Sequence, residues 1–337
     1  MLNFDELCVS RRIKERLERT ARSGNALNSY VFEGADGIGK KTAAQVFAAA
    51  LLCEGEGRIP CGRCGACAKT GSYNHPDIIF VRRKKDKASL GIDDVREQIT
   101  ETVYVKPLLA EKKIYIIEDG GLLTAGAQNG LLKILEEPPA YAVFVLLTPK
   151  TAMLLDTVLS RSVVLSFLPL PAEEVHCCLQ KKHPDSPEER LQFAARFSQG
   201  IIGRGLRLLE DEEFSELYRL TLHHTAELLR TDTAVTDFER FLLDGRDRLE
   251  YIVDFMLIFL RDCLFEKLNL EKQILCRDRL YEIRESCRTL SKKALVGAMD
   301  AVLRYQKRIA GNASASASAL ELLMSVREGM HDQGNRS

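Results

Sequence analysis

Ser29-Tyr30-Val31-Phe32-Glu33-Gly34-Ala35-Asp36-Gly37-Ile38-Gly39-Lys40-Lys41-Thr42 is the stretch whose reading decides the fold class. Residues 29–33 are a short β-prone run. A glycine-rich turn follows, and Lys41–Leu52, rich in alanine, leucine and valine, reads as a helix. Gly34, Gly37, Gly39 and Lys40 have the spacing of a phosphate-binding loop set between a strand and a helix. Glycines there let backbone N–H groups turn inward toward phosphate oxygens, the lysine reaches the terminal phosphates, and the helix N-terminus adds a favourable dipole. One position departs from the pattern. Where a Ser or Thr hydroxyl would ligate magnesium, the chain has Lys41, and Thr42 comes one residue late. One residue on a helix is about 100° around the axis, so a bound ATP–magnesium pair is a weakened expectation.

Working outward, Ile78–Val81, Ile114–Ile117, Val143–Leu147 and Val163–Phe167 read as further strands. The continuous apolar runs are those of strands buried on both faces. Asp93 and Asp94 suit the first turn of a helix through about Thr102, and Ala125–Leu135 reads as another helix, stopped by Pro138-Pro139. Strands alternating with helices predict a parallel sheet covered on both sides, so residues 1–170 read as an α/β P-loop domain. The run 114–117 delivers Glu118 and Asp119 at its end. A metal-dependent NTPase usually places Asp first and Glu second there; here the order is reversed.

Cys53, Cys61, Cys64 and Cys67 bring four thiolates within fifteen residues, inside the α/β domain. Tight Cys-x-x-Cys steps with glycines at 62 and 65 suit a tetrahedral structural zinc; an iron–sulfur cluster is the alternative. A closed four-thiolate site has no open position and so no catalytic role. His75 reads as a residue that caps or packs this module. The other cysteines, at 8, 177, 178, 263, 276 and 287, read as small core residues. The basic run 82–87 reads as a solvated loop.

After Pro171 no strand pattern recurs and long amphipathic stretches such as Leu249–Leu268 and Ala294–Ile309 dominate. We expect a small helical domain over 171–210, an all-α domain over 211–328, and a disordered polar tail over 329–337. The 337 residues carry 48 basic and 48 acidic side chains, a formal net charge of zero. No global field therefore draws the chain to nucleic acid or anionic membrane. The N-terminus shows no secretory signal and no run approaches membrane-spanning length; ten cysteines without a disulfide-like framework point to a reducing, cytoplasmic setting.

Several passages together resemble the bacterial clamp-loader family of AAA+ proteins. They are Tyr30–Gly34 running into the phosphate loop, the four-cysteine insert followed by His75-Pro76-Asp77, the segment Asn129-Gly130-Leu131-Leu132-Lys133-Ile134-Leu135-Glu136-Glu137-Pro138-Pro139, and Ser160-Arg161-Ser162. Gly311-Asn312 and Leu320-Glu321-Leu322-Leu323 are similar to the last helices of the family's oligomerisation collar. The resemblance implies an AAA+ module with the zinc module inserted at 53–67, a lid over 171–210 and a collar over 211–328. It implies a five-subunit ring with gamma/tau and delta subunits that opens the sliding clamp and places it on primer–template DNA at the bacterial nucleoid. Arg161 would then be an arginine finger acting on a neighbour's ATP, Thr148 the sensor-1 polar residue, and Gly203 would stand where a sensor-2 arginine belongs, with Arg204 one residue off.

Two functional classes follow. One is a non-motor ring component that supplies Arg161 in trans. The other is an active ATPase of the gamma/tau type using Lys40, Thr42 and Glu118 or Asp119. A stand-alone zinc-ribbon nucleic-acid binder is a third reading, disfavoured by the neutral charge.

Overall fold

The computed structural model describes residues 2–84, 87–231, 233–245, 248–288, 290–309 and 315–331. The chain divides into two compact units, Met1–Leu206 and Arg207–Ser337.

In the first unit, α1 (Arg11–Arg22) precedes β1 (Ser29–Glu33), α2 (Lys40–Leu51), α3 (Gly65–Gly71), β2 (Ile78–Val81), β3 (Lys113–Ile117), α6 (Ala125–Glu136), β4 (Ala142–Thr148), α7 (Asp156–Leu159) and β5 (Val163–Ser166). Between β2 and β3 lie α4 (Ile92–Val95) and α5 (Glu101–Val103), joined by a π-helical stretch over Arg96–Thr100. The sequence predicts one ordinary helix here; the widened turns instead keep Val95, Ile99 and Val103, spaced four apart, all buried on one side. The five strands form one parallel sheet in the order β2-β3-β4-β1-β5. Every residue of β3 and β4 is buried, as their apolar runs require. Five alanines of α2 are buried, and side chains this small let the helix lie close on the sheet. Because all strands are parallel, the loops after β1, β3 and β4 emerge along one edge. That edge is where ligands of open α/β sheets bind.

The opposite edge is held by a buried carboxylate. Asp77 accepts N–H bonds from Leu108 (2.6 Å), Leu109 (2.8 Å) and Ala110 (2.9 Å) and is 1% exposed. Burial alone would raise its pKa, but the three donors outweigh that and hold it below its ordinary 3.8. A depressed folded-state pKa means stability that is fully present above 3.8 and lost as pH falls through the lower, folded value. We expect Asp77→Asn to cost about 1–3 kcal/mol in urea unfolding at pH 7, and the gap to wild type to close as the pH drops toward 3. A pH-independent gap would remove the carboxylate's charge from the account.

After β5 the first unit continues through α8 (Ala172–Lys182) and α9 (Glu188–Phe197), and α10 (Ile202–Glu210) runs across the boundary between the units. The second unit holds α11 (Glu212–Arg230), α12 (Ala234–Asp244), α13 (Leu249–Lys267), α14 (Leu280–Cys287), α15 (Lys292–Ile309) and α16 (Ala315–His331), with no strand among the described residues. Helix α13 is its buried centre, with Ile252, Phe255, Met256 and Phe259 inaccessible. Val296 and Leu303 on α15, and Leu320 and Met324 on α16, stay exposed at helical spacing. The expected tail is corrected at its start, since α16 continues through residues 329–331; residues 332–337 lie outside the described residues, as do Gly311 and Asn312. No described helix is long and apolar enough to cross a membrane.

Candidate nucleotide site and metal centre

The phosphate loop is built as its glycines allow. Gly34, Gly37 and Gly39 take φ values of 151°, 80° and 104°, which L side chains rarely adopt. Lys40 is buried, and its ammonium donates to the carbonyls of Gly34 (2.5 Å) and Ala35 (3.0 Å) and pairs with Asp36 at 3.3 Å. Burial lowers its pKa, and Asp36 partly offsets this. Thr42 is exposed on α2.

A second segment closes on the loop. The N–H of Gly203 donates to the Gly37 carbonyl at 2.9 Å. A Cβ at residue 203 would stand 2.8 Å from that oxygen and 2.9 Å from the Gly37 Cα. No side chain fits at this position, so glycine is required by the close approach of two backbones.

The acidic pair after β3 does not present free carboxylates. Glu118 receives Arg82 at 2.7 Å and Lys41 at 3.0 Å, and Asp119 lies 3.8 Å from Arg83. The pairing of β2 with β3 sets this up: Val81 stands opposite Ile117, so the next residues, Arg82 and Glu118, emerge side by side. Lys41, on the first turn of α2, reaches in from across the edge. The basic run is thus corrected from a solvated loop to a set of counter-ions. Arg82 and Arg83 hold the acidic pair, Lys84 pairs with Glu97 and Lys87 with Asp94, while residues 85 and 86 lie outside the described residues. An ammonium and a guanidinium on one carboxylate repel a divalent cation, so these residues do not fit a magnesium ion.

Thr148, at the end of β4, is buried and turns its hydroxyl to the Lys150 carbonyl at 2.9 Å. Glu33, a residue the sequence reading did not single out, binds the N–H and hydroxyl of Thr151 and the hydroxyl of Ser166, tying the ends of β1, β4 and β5 together. The Thr151 N–H is the largest influence on Glu33 and lowers its pKa. Arg161 lies between α7 and β5, away from these loops in sequence. It donates to Glu136 at 2.8 Å and to the Thr157 carbonyl at 3.1 Å, and its side chain is 37% exposed. Glu136 is the last residue of α6, so the two motifs quoted for the resemblance meet in one ion pair.

The sulfurs of Cys53, Cys61, Cys64 and Cys67 all lie within 4.8 Å of one another, and Cys61 and Cys67 are 3.9 Å apart. Tetrahedral zinc at about 2.3 Å from each sulfur needs edges of about 3.8 Å. Backbone N–H groups of residues 61, 64 and 67 point at the sulfurs of Cys53, Cys61 and Cys64 at 3.3–3.4 Å. Such donors favour thiolates, and the N–H groups of Arg63 and Cys64 bring Cys61 down to about 6. The set fits a structural zinc. His75 is not part of it: its Nδ1 accepts the Asp77 N–H at 3.2 Å, closing the turn into β2. Of the remaining cysteines, 263, 276 and 287 are buried as expected, but Cys8 and Cys178 are half-buried and Cys177 is exposed, which corrects the reading of those three as core.

The family described as "DNA polymerase III, delta subunit" matches residues 9–171. The DNA polymerase III subunit delta' of Bacillus subtilis is 27% identical over 326 residues, covering 94% of this chain and 96% of that protein. The chain belongs with the DNA polymerase III delta-prime subunits and their gamma/tau relatives. The Escherichia coli subunit delta' is 31% identical, with 59% of this chain and 60% of that protein covered. The gamma/tau subunit of Mycoplasma genitalium is 30% identical over 66% of this chain but only 37% of its own length.

Proposed function

We propose that the chain is the delta-prime type of clamp-loader subunit: a non-motor member of an AAA+ ring that helps place the sliding clamp on primed DNA in the bacterial cytoplasm. Residues 171–210 would serve as its lid and 211–328 as its collar, joined to gamma/tau and delta subunits. The observation that carries this reading is the acidic pair. A motor needs a carboxylate free to hold magnesium and another to orient water; here Lys41 and Arg82 bind Glu118 from two sides. Gly203 on the Gly37 carbonyl supports it further, because a sensor-2 arginine has no room there. The exposed apolar stripes of α15 and α16 suit helices that meet neighbours in a collar.

The gamma/tau motor reading retains one support, an intact Gly34–Lys40 spacing together with gamma/tau relatives at similar identity. The two separate on one experiment. ATP turnover is measured for the complex assembled with delta, gamma/tau, clamp and primed DNA, using wild-type chain and Lys40→Ala. A non-motor subunit predicts turnover unchanged by Lys40→Ala and none from the purified chain. Turnover by the purified chain that Lys40→Ala abolishes would make it a motor.

A further inference from the structure

Two thiols meet where the N-terminal segment passes α8. Cys8 lies between Leu7 and Val9, both buried in the core around the sheet, and its carbonyl and the Val9 side chain lie against Gly39 of the phosphate loop. Cys178 lies on α8 beside Leu179, which with Val175 anchors that helix by its buried face. The Cys8 and Cys178 thiols hydrogen-bond to each other across 170 residues of chain. Both are half-buried, so a small reagent reaches them, unlike the enclosed thiols of Cys263 and Cys276. Lys14 and Lys181 add positive charge near Cys178, and Glu174 opposes them.

We propose that Cys8 and Cys178 are a reversible redox pair, closed to a disulfide by a small-molecule disulfide, which fastens α8 to the segment lying against the phosphate loop. The partners have unequal roles. Accepting the Cys8 hydrogen bond is the main reason Cys178 is brought down to about 7, whereas the same bond and burial push Cys8 up. Cys178 is therefore the attacking thiolate. It attacks one sulfur of the reagent, whose S–S bond breaks and whose other half leaves as a thiolate that takes up a proton. Cys8 then gives up its proton and attacks the Cys178 sulfur, expelling the second half as a thiol. Two cysteines are oxidised and one reagent disulfide is reduced to two thiols. Thiols in hydrogen-bond contact need only a small approach to reach S–S bonding distance. The pair stands independently of the clamp-loader reading.

The test uses the full-length, zinc-loaded chain titrated with oxidised glutathione, quenched by alkylation and mapped by peptide mass spectrometry. We expect a Cys8–Cys178 linked peptide as the main product, reversed by dithiothreitol and unaffected by Cys177→Ser. In Cys8→Ser, Cys178 should stop at the mixed glutathione disulfide. Linkage should raise the melting temperature by roughly 5–10 °C and slow hydrogen exchange over 172–182. Glutathione retained on Cys178 of the wild-type chain without linkage, or reaction confined to Cys177 or the zinc ligands, overturns the proposal. Should Cys8→Ser not fold, the wild-type map and Cys178→Ala decide it alone.

Discussion

Replacing Arg161 by alanine should reduce ATP turnover at the ring site it completes by ~10³-fold or more, the size of effect an arginine finger has in related NTPases. The complex as a whole then falls to what its remaining sites sustain. The chain itself should be little changed. The ion pair lost is an exposed one, with Arg161 37% and Glu136 51% accessible, and such pairs are worth about 0–1 kcal/mol. A large kinetic loss with an unaltered melting curve and intact assembly on gel filtration would therefore mean action on a neighbour's nucleotide. Arg161→Lys should recover little, because an ammonium lacks the planar fork that spans two phosphoryl oxygens. Glu136→Gln tests how the finger is held. Its loss should be intermediate, since the Thr157 carbonyl still anchors the guanidinium. Full turnover with Arg161→Ala would reduce Arg161 to a surface residue fastening α6 to the turn before β5.

Stripping the metal should have the second large effect. Structural zinc in small four-ligand modules contributes ~10–16 kcal/mol of apparent binding free energy at neutral pH, far more than residues 53–71 can gain from their own packing. A strong chelator, or Cys64→Ser, should release the zinc found by elemental analysis and open this stretch to protease. The sheet should persist, because its strands and α2 pack without the cysteines. Protease resistance retained after zinc loss would mean that α3 folds unaided. Iron with visible absorbance would instead indicate the iron–sulfur alternative.

Much of the first unit was legible because its signals are local. The strands at 29–33 and 78–81 lie where their apolar runs placed them, and the other three differ by a residue at an end, where a side chain's periodicity says least. The four-cysteine spacing is local too, and its sulfurs converge as that spacing requires. The phosphate loop follows from glycine alone, since few other residues accept its φ values.

What stayed hidden depends on pairs far apart in the chain. Lys41 could be seen to replace a magnesium ligand, but not to hold Glu118, 77 residues away. Arg82 read as solvated because nothing near it in sequence is its partner; Glu118 lies 36 residues on. The Cys8–Cys178 contact and the Gly203–Gly37 bond are of the same kind. The sequence by itself determined a parallel α/β sheet with a phosphate loop and a zinc-type module, because turn chemistry, periodicity and ligand spacing act within a few residues. Only the tertiary structure decided that the acidic pair is neutralised. Strand register and the docking of α2 bring distant charges together, and no local pattern encodes which of several cations will arrive.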